Sequence, residues 1–271
     1  MRHGESTTLG GEMQLSVLGP IAIITEAGRQ PVRGEKVRTT LALLALDAGR
    51  LVTTDRLVDE LWPDRPIGNA RNALQAHITR LRRLLDGGRD HGTRGSLIRT
   101  IGTCYQLDLP PEALDSNRFR QLAGLGAATR AENPRRAVAL LEEALRLWHG
   151  PALLDAGPGP VCRAAACWLD ENRLMANEDL IAARLALGED RTVVPELEEL
   201  TARYPLRERF TELLMVALYR CGRQVDAVNA YHRLRLRLTR DIGLDPGDRL
   251  QKRYLEILLR DPALRAFEAA A

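Results

Sequence analysis

The fold of the N-terminal part of this chain is indicated most clearly by one stretch, Asn69-Ala-Arg-Asn-Ala-Leu-Gln-Ala-His-Ile-Thr-Arg-Leu-Arg-Arg-Leu-Leu85. At about 100° per residue, a helix here collects its apolar residues on one side: Ala70, Leu74, Ile78, Leu81 and Leu85. The opposite side carries polar and small residues, with further polar residues beside them: Asn72, Ala76, Thr79 and Arg83, flanked by Asn69 and Arg80, and with Gln75 and Arg82 at the edges. The stretch contains no Asp or Glu, whereas an ordinary surface helix often pairs Glu with Lys. The exposed amide and guanidinium groups are those that form paired hydrogen bonds to DNA base edges.

The segments around this helix predict a small domain of short strands, three helices and a hairpin. Strands are predicted over 13–18 from apolar and polar alternation and over 21–24 from an apolar run, and 30–32 is a candidate for a short third strand. Helices are predicted over 35–48, which Gly49 ends, and over 54–61, with Thr54 as the N-cap and a short extended link before it. Two further strands, 97–100 and 104–107, surround Gly102 and predict a β-hairpin. This order of elements is that of a winged helix.

The overall composition is ordinary for a soluble globular protein, with 45% hydrophobic and 28% charged residues. A length of 271 residues predicts two domains. No apolar run reaches the roughly 18 residues that span a bilayer. Residues 1–12 are polar and glycine-rich, lack the apolar segment of a signal peptide, and are expected to form a disordered tail. We therefore expect a cytoplasmic protein with no membrane partner.

Positive charge is concentrated around the 69–85 helix, although the net charge of the chain is only +3. Between residues 65 and 99 there are eight arginines, against Asp86 and Asp90 as the acids. Such a local field suits a polyanion, and an ordinary solvated helix face would carry the same charge. The charge supports a nucleic-acid partner only together with the amide-bearing face.

The sequence offers no pattern typical of a metal or nucleotide site. Its cysteines and histidines are scattered without ligand spacing: Cys104, Cys162, Cys167 and Cys221, and His3, His77, His91, His149 and His232. We find no G-x-x-x-x-G-K-[ST] phosphate loop and no nucleophile–base pair. We expect free thiols, no metal, no cofactor and no enzymatic activity.

Pro110-Pro111 marks the expected boundary between a winged-helix domain, 13–110, and an all-helical domain, 111–271. Helices are predicted over 115–130, 135–148 and 162–187. A repeat follows in which Leu180, Val193, Leu197 and Leu200 recur 34 residues later as Leu214, Ala227, Tyr231 and Leu234. Because 34 residues is the tetratricopeptide period, the second domain is predicted to be tetratricopeptide-like. The predicted fold class is therefore mainly α, with a winged helix first.

The chain resembles the small Streptomyces antibiotic regulatory proteins, in which an OmpR-type winged helix precedes a bacterial transcriptional activator domain. The resemblance covers nearly all of 13–110 and roughly 115–259. The segments that carry it are Leu15-Ser-Val-Leu-Gly-Pro20, Arg50-Leu-Val-Thr-Thr-Asp-Arg-Leu-Val-Asp-Glu-Leu-Trp62, Ala70-Arg-Asn-Ala-Leu-Gln75, Arg80-Leu-Arg-Arg-Leu84, Arg99-Thr-Ile-Gly-Thr-Cys-Tyr-Gln-Leu107 and Ala230-Tyr-His-Arg-Leu-Arg-Leu-Arg-Leu-Thr-Arg-Asp-Ile-Gly-Leu-Asp-Pro246.

The resemblance implies an activator of antibiotic biosynthesis genes that binds short direct repeats near promoters. It also implies contact with RNA polymerase, including its sigma factor. Direct repeats require a second protomer on DNA in a head-to-tail arrangement. The loop 64–68 beside the 69–85 helix is one candidate polymerase contact, and the helical domain is the other candidate surface for polymerase or a second protomer. Such a protein is expected in the nucleoid.

The winged-helix docking geometry assigns the candidate site residues, because phosphate contacts supply affinity and base edges supply specificity. The expected base-reading residues are Asn72, Gln75, Thr79 and Arg83. The expected phosphate or backbone contacts are Lys36, Arg38, Thr53, Thr54, Arg71, Arg80 and Arg82. The wing is expected to contribute Arg94, Arg99 and Thr103, although Arg99 has pairing with an acid of the fold as its alternative, and Thr54 has a helix cap.

The sequence is also compatible with two other functions. A helical-repeat adaptor would use the winged helix for protein contact alone. A repressor would share the fold, since the position of the bound site sets the sign of regulation.

Overall fold

The computed structural model describes residues 13–63, 68–86 and 95–264. It divides into two compact units, each discontinuous in sequence. The first comprises Met1–Leu122 with Ala144–Arg173, and the second comprises Ala123–Glu143 with Leu174–Ala271. No helix in the described ranges is both long and apolar enough to cross a bilayer.

The first unit begins with a three-stranded antiparallel sheet, as the alternation predicts. Strands β1 (Gln14–Ser16), β2 (Ala22–Thr25) and β3 (Gly28–Pro31) lie in that order, with Leu15 opposite Ile23. Leu15 and Ile23 are buried, whereas β3 is exposed throughout. The sheet therefore turns one apolar face toward the helices that follow.

The three predicted helices and the hairpin complete the winged helix. They are α1 (Glu35–Leu46), α2 (Thr54–Leu61) and α3 (Ala70–Leu85), then β5 (Ile98–Ile101) and β6 (Cys104–Leu107). A two-residue strand, β4 (Val52–Thr53), pairs with β6, so that the hairpin belongs to a sheet of order β4-β6-β5. The sequence indicates only an extended link there, because two residues are too few to show a period.

The helical part of the chain starts with three helices, close to their predicted bounds. They are α4 (Asp115–Thr129), α5 (Pro134–Arg146) and α6 (Pro160–Ala186). Short 3₁₀ turns occur at Pro111–Ala113 and Pro262–Leu264. The N-terminal part of α6 and the segment before it belong to the first unit.

The second unit contains the predicted repeat. Helices α7 (Asp190–Arg203), α8 (Glu208–Arg220), α9 (Gln224–Ile242) and α10 (Asp248–Leu258) follow one another, and α8 packs on both α7 and α9. The repeat positions are buried, apart from the half-buried Leu200. All of these positions except Leu180 lie in or against one apolar core, as expected for repeats that stack on each other.

The segment between α5 and α6 forms hydrogen bonds with the turn that connects β1 and β2. Its backbone N–H groups at His149 and Leu153 donate to the carbonyl oxygens of Leu18 and Val17, at 2.8 and 2.9 Å. Asp155 also accepts a hydrogen bond from Ile21 N–H at 2.8 Å. Residues far from the winged helix in sequence therefore complete its compact unit, while the division of the sequence at 110/111 stays a prediction.

Candidate nucleic-acid interface

Helix α3 is held in the first unit by its leucine stripe. Leu74, Ile78 and Leu81 are at most 1% exposed, and they pack in the core that α1 and α2 share. Burial of each such side chain contributes about 1.5–3 kcal/mol, so the rotation of α3 about its axis is fixed. The opposite face is consequently fixed toward solvent.

All four predicted base-reading residues, Asn72, Gln75, Thr79 and Arg83, are exposed on that face. Within the described part of the chain, the side chains of Asn72, Gln75 and Arg83 form no hydrogen bond or ion pair. Thr79 differs, because its hydroxyl donates to the Gln75 carbonyl oxygen at 2.8 Å and retains only its acceptor capacity. The face thus offers two amides and one guanidinium to a ligand.

Arg71 and Arg80 lie at the borders of this face and are both exposed. Arg71 pairs with Asp55 at 3.2 Å, but both side chains are about three-quarters exposed, so the pair is weak and exchangeable. Arg80 reaches the start of α1, where its Nη1 would lie 3.7 Å from a Cβ on Gly34. A guanidinium next to a helix N-terminus favours an anion such as a phosphate.

Arg82 occupies a different position from its neighbour Arg83. Its Nε donates to the Ile98 carbonyl oxygen at 3.0 Å, and its Nη2 donates to the Thr100 hydroxyl at 2.7 Å. Both partners lie on β5, so Arg82 fastens the wing to α3. Its predicted phosphate contact has to compete with these hydrogen bonds.

The two cations of α1 are also used within the fold. Arg38 donates to the carbonyl oxygens of Asp155 and Val32, at 2.7 and 3.2 Å, and pairs with the Asp155 carboxylate at 3.1 Å. Lys36 donates to the Leu61 carbonyl oxygen at 2.5 Å. The sequence places both at the helix start, where phosphates bind, but it does not show that carbonyl groups already occupy their donors.

The start of α2 differs by one residue from the prediction. Thr53 is the N-cap, accepting a hydrogen bond from Arg56 N–H at 3.2 Å, so the assignment of the cap to Thr54 is wrong. Thr54 instead donates from both its backbone N–H and its hydroxyl to the Thr103 carbonyl oxygen, at 2.9 and 2.7 Å. Thr53 is the last residue of β4, which pairs with β6, so α2 begins directly after it and Thr53 takes the N-cap position instead of Thr54. Among the described residues, no acceptor takes the Thr53 hydroxyl proton, so this hydroxyl can donate to a phosphate.

The wing presents its turn to solvent. Gly102 has φ of +59°, a conformation that suits glycine at the first position of a two-residue hairpin loop, and the Thr103 side chain is exposed beside it. Arg99 pairs with Asp108, which is the alternative that the sequence left open for it. Arg94 and most of the expected polymerase loop, 64–67, lie outside the described residues.

His77 is a half-buried residue of α3 beside the exposed face, and its sequence context does not predict a role for it. Its ring is stacked near Trp62, with centroids 6.2 Å apart. Burial lowers the pKa of His77, and the charges of Arg80 and Lys36 lower it further. Since its ordinary pKa of 6.5 is already below neutrality, His77 is uncharged at neutral pH and adds nothing to the positive field.

Comparison with known proteins accounts for both parts of the chain. The family model described as "Transcriptional regulatory protein, C terminal" matches residues 30–105, and that described as "Bacterial transcriptional activator domain" matches residues 114–258. Transcriptional regulator RedD of Streptomyces coelicolor is 47% identical over 97% of this chain and 75% of its own length. Regulatory protein DnrI of Streptomyces peucetius is 35% identical, covering 93% of this chain and 94% of DnrI.

A solved structure shows the same architecture. Mycobacterium tuberculosis EmbR, in complex with a low affinity phosphopeptide, superposes with a TM-score of 0.87 at 31% identity. The match covers 93% of this chain and 66% of that EmbR chain. The chain therefore belongs to the Streptomyces antibiotic regulatory protein family, whose members are DNA-binding transcription activators.

Proposed function

We propose that the exposed face of α3 enters the major groove of promoter DNA and reads base edges there. The single observation that carries this proposal is that Asn72, Gln75 and Arg83 on that face have no partner among the described residues, on a helix without acids. Asn and Gln suit adenine, and Arg suits guanine, through paired hydrogen bonds. Thr79 contributes an acceptor between them.

The phosphate contacts are assigned to side chains that keep free donors. Arg71, Arg80 and the Thr53 hydroxyl fit this role, because the first two are exposed cations and the third retains its proton. Lys36, Arg38, Thr54 and Arg82 act chiefly by positioning the elements that carry the contacts. In the wing, Thr103 and Arg94 are assigned to the minor groove or its backbone, and Arg99 joins them only when its pair with Asp108 opens.

The controlled genes are assigned to secondary-metabolite (antibiotic) biosynthesis, in line with the family. Binding to short direct repeats would place two protomers head to tail, with RNA polymerase and its sigma factor recruited beside them in the cytoplasmic nucleoid. The loop 64–68 is one candidate surface for polymerase. Run-off transcription from a bound promoter distinguishes activation from repression. More transcript on addition of the protein indicates an activator, and less transcript would make it a repressor.

The test of base reading compares Gln75→Ala with Gln121→Ala, an exposed glutamine on α4. Sites are first selected from a random duplex library with the full chain, and affinities are then measured by gel shift. Gln75→Ala should weaken the selected site by roughly 1–3 kcal/mol and leave random duplex unchanged. Equal losses on both kinds of DNA would reject base reading, and failure to select any duplex would favour the adaptor alternative.

A further inference from the structure

The second unit contains an open groove of about 730 Å³ between α7 and α9, with α8 as its floor. Glu198, Thr201 and Ala202 form the α7 wall, at helical spacing. Thr211 and Leu214 of α8 lie at the bottom. Stacked helix pairs commonly use such concave surfaces to hold an extended or helical segment of another protein.

The α9 wall carries both positive charge and apolar surface. Its groove-lining residues follow one arc of the helix, about 160° wide at 100° per residue. In order around that arc they are Leu236, Arg240, Arg233, Arg237, Ala230 and Leu234. Arginines therefore occupy the middle of the wall, and apolar side chains occupy its two edges.

The described part of the fold neutralises only some of the positive charge on this wall. Arg233 and Arg237 are exposed and form no hydrogen bond or ion pair within the described part of the chain. The acid of the opposite wall, Glu198, lies 3.9 Å from Arg223, and Arg240 pairs with its neighbour Asp241. Arg233 and Arg237 are thus available to bind a ligand in this groove.

Apolar surface in the same groove is exposed as well. Leu236 is 73% exposed although α9 buries Leu234 and Leu238 on its inner side. Leu236 is exposed while the neighbouring leucines of α9 are buried, so it offers apolar contact to a bound segment at the edge of the α9 wall. Arginines next to an exposed leucine distinguish this wall from an ordinary solvated helix face, on which exposed positions are typically polar.

We propose that this groove binds an acidic, amphipathic peptide segment of a partner protein. Carboxylates of the segment would pair with Arg233 and Arg237, and an apolar side chain would contact the exposed Leu236. Guanidinium groups form paired hydrogen bonds with carboxylates, which gives the site its preference for acidic ligands. The groove belongs to the second unit and α3 to the first, so this proposal does not depend on the proposed DNA contacts.

The test begins with selection from a random dodecapeptide display library on the full chain. Selected peptides should be acidic and carry leucine or phenylalanine. One of them, synthesised with a fluorescent label, is then measured by anisotropy. Arg233→Ala/Arg237→Ala should weaken binding about tenfold, and added salt should weaken it further by screening.

Matched controls come from the same unit. Arg235→Ala alters α9 outside the groove, and Leu259→Ala removes a leucine that is 80% exposed just after the end of α10, so both variants should bind the peptide normally. Leu236→Ala should weaken binding several-fold, and Gln75→Ala should leave it unchanged. Peptides without acidic bias, no selected peptide, or equal binding by the double arginine variant would each overturn the proposal. If the double variant instead loses affinity for random duplex DNA, the groove binds a phosphate backbone and the proposal is wrong.

Discussion

Glu60 and Cys162 are 102 positions apart, yet a carboxylate oxygen of Glu60 accepts a hydrogen bond from the backbone N–H of Cys162 at 2.8 Å. The other oxygen accepts from Val161 N–H, also at 2.8 Å. Glu60 is 3% exposed and lies in the last turn of α2, next to the first turn of α6. The backbone N–H groups of that turn and the helix dipole favour an anion there. A Cβ on Gly159 would lie 2.2 Å from the Glu60 carboxyl, so glycine is required for this approach.

The Glu60 contact predicts a stability effect without any change at the α3 face. In Glu60→Gln an amide NH₂ replaces one acceptor oxygen and faces a backbone N–H, which loses a hydrogen bond and leaves a buried donor unsatisfied. We expect the free energy of unfolding to fall by about 1–3 kcal/mol in urea titrations. Asp59→Asn, on the exposed side of the same helix, is the control and should be nearly neutral. Equal stability of the two variants would show that the carboxylate contributes little.

Two glycines of α4 predict opposite effects of the same substitution. A Cβ on Gly124 meets nothing within 4 Å, so Gly124→Ala should stabilise the helix by about 0.5–1 kcal/mol through lower backbone entropy in the unfolded chain. A Cβ on Gly126 would lie 2.6 Å from Leu141 Cγ, and Gly126→Ala should destabilise by about 1–3 kcal/mol. Thermal and urea unfolding of both variants measure this, and a stabilised Gly126→Ala would contradict the packing of α4 on α5.

The helices and their buried faces follow from sequence because helical periodicity is a local property. The leucine stripe of α3 and the 34-residue repeat are both confirmed for that reason. Strand β4 and the contacts of Asp155 and Glu60 are not predictable in this way, since they depend on partners about 50 to 130 residues away.

The candidate site shows the same limit at the level of single residues. Helical rotation correctly places Arg83 outward and Arg82 at the edge of the face. Which edge residue bonds to the wing depends on where β5 lies, and the pairing of β6 with β4 sets that position. Sequence therefore predicts the exposed face, and only the structure separates its free donors from its occupied ones.

Arg82 and Arg83 are consequently expected to differ when each is replaced by alanine. Arg83→Ala removes a donor that the described part of the fold does not use, so it should weaken the selected DNA site by about 1–3 kcal/mol without changing unfolding. Arg82→Ala loses two hydrogen bonds to β5 and should lower stability by about 1–2 kcal/mol. Gel shift and urea unfolding on the same samples separate these effects. Similar stability losses in both variants would argue against the distinction.

Glu212 makes the stability of the second unit sensitive to acid. This carboxylate is 3% exposed and is surrounded by Arg209, Arg249 and Arg253, with its closest contact 2.6 Å from Arg209. Burial alone would raise the pKa of Glu212, but hydrogen bonds and charges from Arg209 and Arg249 outweigh burial and hold it below the ordinary value of 4.5. A depressed pKa stabilises the folded state above the ordinary pKa, and this contribution is lost as the pH falls below about 4.5.

Glu212→Gln should therefore destabilise the protein near neutral pH by about 1–3 kcal/mol, because three partly exposed arginines lose their shared counter-charge. As the pH falls through the folded pKa, Glu212 itself becomes protonated and the difference from Glu212→Gln should shrink. Urea unfolding at about pH 7 and about pH 3.5 measures this, with the exposed Glu199→Gln as the control that should show neither effect. A stability difference that stays constant across this range would mean that packing of the side chain, and not its charge, holds α8 and α10 together.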